Sequence, residues 1–257
     1  MQVSRLTRND EEGRPLLNFL PLNFGDGLCG GFFSRHGGVS PAPFDSLNVS
    51  YGVGDDTFLV AANRRRIKEC LGLRVLISVR QVHGDRILSL AEEQDCDVEH
   101  DGYDALITNQ PGVGLMIQQA DCQAVVLFDP VCRIVANLHA GWRGSVVNLI
   151  GKTIGRMTLD FGTDPSRLEV AISPALGPCC AEFVHFCREL PPEFHADQVR
   201  PMYFDFWAIS RKQLQAAGVP AAHIRTAAVC TRCDPNYFSY RREGTTGRSA
   251  TVIALGQ

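Results

Sequence analysis

The sequence predicts an α+β sheet architecture, and three observations carry that reading. Short β-rich runs come in pairs separated by turn-forming breaks. Amphipathic helical segments lie between them as longer excursions, each ended by a helix stop. The order of strands and helices is too irregular for repeated βαβ winding. Residues 56–71 form the first helix, with Asp55 or Asp56 as N-cap and Gly72 as stop. Strands follow at 75–79, 86–90, 114–118, 123–129 and 133–139. A second helix is expected over 145–157, capped by Ser145, with Val146, Val147, Ile150, Ile154 and Met157 as its apolar stripe. A strand at 168–172, a helix at 206–217 stopped by Gly218 and a strand at 250–255 complete the set. The Pro-containing connection over 191–201 reads as a mobile loop.

At 257 residues and 45% hydrophobic content, the chain can bury a sizeable core as one domain or two closely joined ones. A net charge of -3 gives no general attraction to nucleic acid or membrane. No stretch approaches the roughly 20 apolar residues of a spanning helix. The first 14 residues are polar and charged rather than a signal peptide, so a cytoplasmic location is expected. In that compartment the ten cysteines read as thiols, metal ligands or redox pairs before disulfides. Cys230-Thr-Arg-Cys233 has ligand spacing, but its only partner pair is Cys179-Cys180, and adjacent cysteines chelate one metal awkwardly. No dinucleotide fingerprint or P-loop is present.

Three motifs offer a metal site: Gln81-Val-His-Gly84, Ala120-Asp-Cys122 and His139-Ala-Gly-Trp-Arg-Gly144. His83, Cys122 and His139 make a set of two imidazoles and one thiolate. It suits zinc and leaves a fourth position open, as catalytic sites do. The runs on either side of Pro130 should pair as an antiparallel hairpin. If Asp129 and Cys132 close a four-residue turn, Cys122 faces His139 with Cβ atoms about 4.5–5.5 Å apart. His83 enters from a separate turn, at which its ring projects freely. Asp121 is the first candidate acid/base, although on a regular strand it points away from the face of Cys122; His36 is the second. For an anion, Arg35 beside Gly37-Gly38 and Arg143 in a Gly-bracketed turn are candidate ligands. Asn48 supplies an orienting amide, and Arg241, Arg242 and Arg248 form a further basic group.

These motifs carry a resemblance. Together with Ser34-Arg-His-Gly-Gly-Val-Ser40, Ser46-Leu-Asn48, Val53-Gly-Asp-Asp56, Asp104-Ala-Leu-Ile-Thr108, Gly177-Pro-Cys179 and Phe238-Ser-Tyr-Arg-Arg-Glu-Gly244, the chain resembles the YfiH family. That family is also called the multicopper polyphenol oxidase or laccase-domain family. The resemblance runs from about residue 31 to 255. It implies a single domain over 1–257 with a variable segment at 1–28, built as a layered sandwich of β-sheets covered by helices. Family members are described as purine nucleoside phosphorylase and adenosine deaminase enzymes, and bacterial ones also as peptidoglycan editing factors. The family's metal ligands map onto His83, Cys122 and His139. Cys179 and Cys230 stand at positions often cysteine in relatives, whereas Cys180 and Cys233 look particular to this chain.

The expected activity is phosphorolysis of adenosine, inosine or guanosine together with deamination of adenosine. Asp121, Cys122 and His139 are the catalytic candidates, and Arg35, Asn48 and Arg143 the candidates for substrate and phosphate. Zinc is the expected cofactor, with copper able to replace it in vitro. Purine nucleosides and phosphate are the expected partners of a monomer. Multicopper phenol oxidation is a weak competitor, because only seven histidines occur and none stands in a His-X-His pair. A thiol hydrolase or amidase with Cys122 as nucleophile and His139 as base is the second competitor. A zinc-stabilised binding protein is the third.

Overall fold

Alternation along the apolar strands sets the layers, because successive side chains leave a strand on opposite faces. In Val113–Gln119, Leu115 and Ile117 enter one core while Met116 enters another. In Gln123–Asp129, Val126 and Phe128 share the first of these cores, and Val125 and Leu127 pack on the opposite side. Both strands are buried along their whole length, so each must be covered on two faces. The computed structural model describes residues 16–25 and 27–256 and shows how. Two six-stranded mixed sheets pack face to face, with helices over their outer faces.

The first sheet runs Phe19–Pro21, Leu28–Phe33, Ser249–Leu255, Val113–Gln119, Val75–Arg80 and Val98–Asp101. The second runs Ile224–Thr226, Glu169–Ile172, Gln123–Asp129, Ile134–Ala140, Ala105–Thr108 and Ile87–Leu90. Ile77, Leu115 and Ile253 from the first meet Leu106, Val126 and Val135 from the second. Asn137 bridges the layers within this core: its amide nitrogen donates to the Leu115 and Thr251 carbonyls, each at 2.9 Å. The helix Thr57–Cys70 covers the first sheet through Ile67. Leu149–Phe161 and Phe206–Ala216 cover the second through Ile150, Ile154, Met157 and Leu214. Among the described residues no helix is long and apolar enough to cross a membrane.

Several expectations change. The helix read over 145–157 is two: Trp142–Val146, then Leu149–Phe161. Asn148 breaks them with left-handed φ of 52° and caps the second by accepting from Gly151 N. Val146 and Val147 fall at the break and are partly exposed, so they leave the stripe. The 191–201 connection is ordered as a 3-10 turn, Pro192–Asp197, and a short strand, Gln198–Arg200. Phe194 anchors it in an aromatic cluster with Phe204 and Phe206. The first 14 residues lie outside the described set.

The hairpin forms, with its register moved by two residues. Asp129 pairs with Ile134, and His139 faces Ala124 rather than Cys122. The turn holds four residues between the pairs because the Asp129 carboxylate accepts from both Val131 N and Cys132 N. A shift of two preserves side-chain parity, so His139 still points from the inner face.

Candidate metal centre

Three crossings lead from the first sheet to the second, and all lie at one end of the molecule because Val75–Arg80, Val98–Asp101 and Val113–Gln119 run parallel. Val75–Arg80 and Val113–Gln119 run parallel, so their exits lie side by side. The first exit passes through residues 81–86 into Ile87–Leu90 of the second sheet. The second passes through 120–122 into Gln123–Asp129, and the third passes through 102–104 from Val98–Asp101 into Ala105–Thr108, carrying Asp104. His83 and Cys122 ride on these crossings. His139 stands near the end of Ile134–Ala140, beside the point at which the second crossing arrives. His83 itself has φ of 59°, and Asp121, beside Cys122, has φ of 89°. Left-handed backbone at two non-glycine residues marks a place held by its surroundings.

The three ligand atoms lie within 4.8 Å of one another. Cys122 Sγ is 3.9 Å from His83 Nε2, and the two imidazoles meet edge to face with centroids 4.7 Å apart. Gly141 is the close neighbour: a Cβ there would stand 3.0 Å from Cys122 Sγ and 3.2 Å from His83 Cδ2. This small residue leaves the ligands room to converge.

Asp104 organises the set and is absent from the residues proposed for the site on sequence. Its fully buried carboxylate sits 2.9 Å from His139 Nδ1 and accepts from the amides of Val82, His83 and Gly84. Its carbonyl accepts from His139 N at 2.7 Å. One acid thus fixes the ring of one ligand and the loop of another. With Nδ1 turned to the carboxylate, His139 presents Nε2 as its free nitrogen, a pattern common among histidine metal ligands. In sequence Asp104 stands only as part of the Asp-Ala-Leu-Ile-Thr motif, and no rule of spacing links that motif to residues 82–84 or 139.

The charges reinforce one another. Burial pushes the Cys122 thiol up, and the His139 and His83 imidazoles outweigh it and bring it down to about 6. For His139, burial acts downward, while the Cys122 thiolate and the Asp104 carboxylate raise it to about 9. For Asp104, burial acts upward and the bonds from His139 and Gly84 N outweigh it, holding the acid below the usual carboxylate range. A thiolate and two imidazoles at this spacing form a donor set of borderline softness, which fits zinc and related transition-metal cations.

The centre opens into a cavity of about 900 Å³ lined by His83, Cys122 and His139 together with Trp142, Phe183, Tyr240, Arg241 and Arg248. Arg248 donates to the Thr246 and Gly247 carbonyls at 2.9 and 3.1 Å. Asp121 also lines the cavity. Its carboxylate accepts from Thr231 Oγ1, Ser239 Oγ and Arg241 N at 2.7, 2.7 and 2.6 Å. The structure does not bring Arg35, Asn48 or Arg143 to the cavity lining. Arg35 is spent on Asp45 and Glu243 and lies over the Phe238 ring. Asn48 is fully buried, bonded to Ser50, Asp55 and Arg248 N. Arg143 lies over the neighbouring Trp142 ring, its centre 4.2 Å from the centroid. His36 bonds Asn236 and is likewise outside the lining.

Fold and site define a two-sheet sandwich protein with a His-Cys-His candidate metal centre at the mouth between its sheets. Residues 30–256 match the family of multi-copper polyphenol oxidoreductase laccases, and the chain belongs to that family, the YfiH family. It is 37% identical over 246 residues to the purine nucleoside phosphorylase YlmD of Geobacillus stearothermophilus, covering 88% of this chain and 90% of that one. A purine nucleoside phosphorylase of Streptomyces griseus is 34% identical over 238 residues, covering 87% and 93%. The crystal structure of Geobacillus stearothermophilus YlmD superposes with a TM-score of 0.87 at 32% identity, over 99% of each chain. Bacillus licheniformis YfiH superposes with 0.86 at 27% identity, over 93% and 96%.

Proposed function

We propose that this chain is a zinc-dependent purine nucleoside enzyme that cleaves adenosine, inosine or guanosine by phosphorolysis and deaminates adenosine. The observation that carries the reading is the convergence of His83, Cys122 and His139 at a cavity that also presents aromatic rings and three arginines, Arg80, Arg241 and Arg248. The names of the relatives support the same substrate class. In this reading His83, Cys122 and His139 hold zinc, which supplies a Lewis-acidic fourth position when bound. Arg241 and Arg248 hold the phosphate, taking the part that sequence alone gives to Arg35 and Arg143. Trp142, Phe183 and Tyr240 offer π faces to the purine and exclude water from it. Asp121 acts as a positioning residue. With both oxygens engaged by Thr231, Ser239 and Arg241 N, it ties the Cys122 crossing to the wall that carries the arginines. The enzyme works as a cytoplasmic monomer without a nucleic-acid or membrane partner.

One observation favours a second reading. Asp104, His139 and Cys122 lie in series, acid to imidazole to sulfur, as in a thiol hydrolase. An amidase of this kind would suit an amino-acid-bearing cell-wall precursor. His83 separates the two, since a thiol–imidazole pair does not need it.

Chromatography of adenosine incubated with zinc-assayed protein, with and without phosphate, tests the proposal. Phosphate-dependent adenine with ribose 1-phosphate is expected, together with inosine from deamination. Both should vanish on chelation and return with zinc, and His83→Ala should lose the zinc of this centre and turnover together. Intact adenosine in fully zinc-loaded protein, or full activity in metal-free His83→Ala, would overturn it.

A further inference from the structure

Four sulfurs outside the His-Cys-His centre also converge. Those of Cys179, Cys180, Cys230 and Cys233 all lie within 4.8 Å of one another. Cys233 Sγ is 3.8 Å from Cys179 Sγ and 3.5 Å from Cys180 Sγ. Sulfurs held at about 2.3 Å from one zinc in a tetrahedron stand about 3.8 Å apart. A disulfide would bring two of them to about 2.05 Å. The two distances from Cys233 are close to the edges of such a tetrahedron, and all four sulfurs lie near enough to share one ion.

Topology explains why the four meet. Beyond the strand Glu169–Ile172, residue Ala175 forms a parallel bridge with Cys230. Ala175 N donates to Val229 O at 3.1 Å, and Thr231 N returns to Ala175 O at 3.0 Å. The two cysteine-bearing loops leave this bridge side by side. The turn at 177–181 closes tightly, with Cys180 N and Ala181 N both donating to Gly177 O. That turn carries the adjacent pair round to Cys233 and removes the awkwardness of adjacent ligands seen in the sequence. Two donors already face the sulfurs: Gly177 N on Cys230 Sγ at 3.3 Å and Arg232 Nη1 on Cys180 Sγ at 3.5 Å. Bonds from an amide and a guanidinium favour sulfur in its anionic, metal-binding form.

We propose that Cys179, Cys180, Cys230 and Cys233 form a second metal site, a closed tetrathiolate cage for one zinc ion with a structural role. All four positions are filled by protein, which is the arrangement of structural rather than catalytic zinc. The ion clamps two loops that build one wall of the cavity. Leu176 and Ala181 line that cavity, and Thr231, between the cysteines of the second loop, donates to Asp121. The site therefore supports the geometry of the first centre without contributing an atom to it.

Metal content per chain tests this by plasma mass spectrometry on the intact protein, Cys180→Ser/Cys233→Ser and His83→Ala. About two zinc ions are expected in the intact chain and about one in each variant. A chain with at most one zinc, lost in His83→Ala and kept in the cysteine variant, overturns the proposal. A second measurement leaves the cysteines untouched. Cobalt(II) loaded into His83→Ala should give tetrahedral d–d bands with intense sulfur-to-cobalt charge transfer, and their absence overturns the proposal. Iodoacetamide should spare the four thiols in zinc-loaded protein and label them after chelation. Labelling at equal speed in both states, or protection that only dithiothreitol removes, as for a disulfide, also overturns it.

Discussion

At the scale of single residues, Asp104 is the position on which the centre depends most. Fully buried, it bonds His139 Nδ1 and three amides of the His83 loop. Asp104→Asn keeps the shape while losing the charge that orients the imidazole. Metal affinity should fall about 10–100-fold, the usual cost of removing such a partner from a ligating histidine. Competition with a chromophoric chelator measures it, and unchanged affinity would show that the ring is oriented without the acid. His83, Cys122 and His139 were legible in sequence because a metal demands particular donor types. Asp104 was not, because a carboxylate that accepts from backbone amides can come from any part of the chain. Arg35 was misleading for a related reason: a guanidinium in a glycine-rich motif looks like an anion site until Asp45 and Glu243 are seen to occupy it.

At the scale of elements, local chemistry was readable where one residue decides the outcome. Asp56 caps Thr57–Cys70 by accepting from Phe58 N, as read. The strand Gln123–Asp129 has the expected bounds. Asn148 was missed: a continuous apolar stripe gives no sign that one asparagine adopts left-handed backbone and restarts the helix. That residue now supplies a test. Asn148→Ala removes the cap and places a side chain in a disfavoured conformation, which should cost about 1–2 kcal/mol. Thermal unfolding should drop by about 2–4 °C per kcal/mol for a chain of this size. Asn148→Gly, tolerant of the same φ, should lose less. Equal losses would mean that the backbone conformation contributes nothing. The hairpin teaches a related lesson. The strands were found and their parity was right, while the register depended on the two amides that Asp129 holds in the turn.

At the scale of the whole molecule, the class was legible from alternation, whereas the pairing of strands was not. Strands such as Val98–Asp101 and Leu28–Phe33 carry weak patterns and are set by their neighbours in the first sheet. The packing of distant segments also shapes the response to acid. Glu243, near the C-terminus, bonds Arg35, Arg242 and Thr246. Burial acts to raise its carboxyl, and these partners outweigh it and hold it below the ordinary range. A carboxyl lowered by folding stabilises fully above its unfolded value, about 4.3, and that contribution fades as pH falls through the folded value. The stability gap between the native chain and Glu243→Gln should therefore be level above about pH 5 and narrow as acid is added. Urea titrations at several pH values measure it, and a gap that widens in acid would reverse the assignment.

The amides of residues 82–84 offer a last consequence. They belong to a surface crossing, where Val82 is 56% exposed, yet all three end on one buried carboxylate. Exposed loops ordinarily trade their protons with solvent quickly. Here deuterium uptake should be slow even in protein stripped of metal, and Asp104→Asn should release it. Fast uptake in the stripped native chain would mean that the loop is not held until an ion arrives. Slow uptake would show a receptor whose shape is settled during folding, so that metal capture needs little rearrangement.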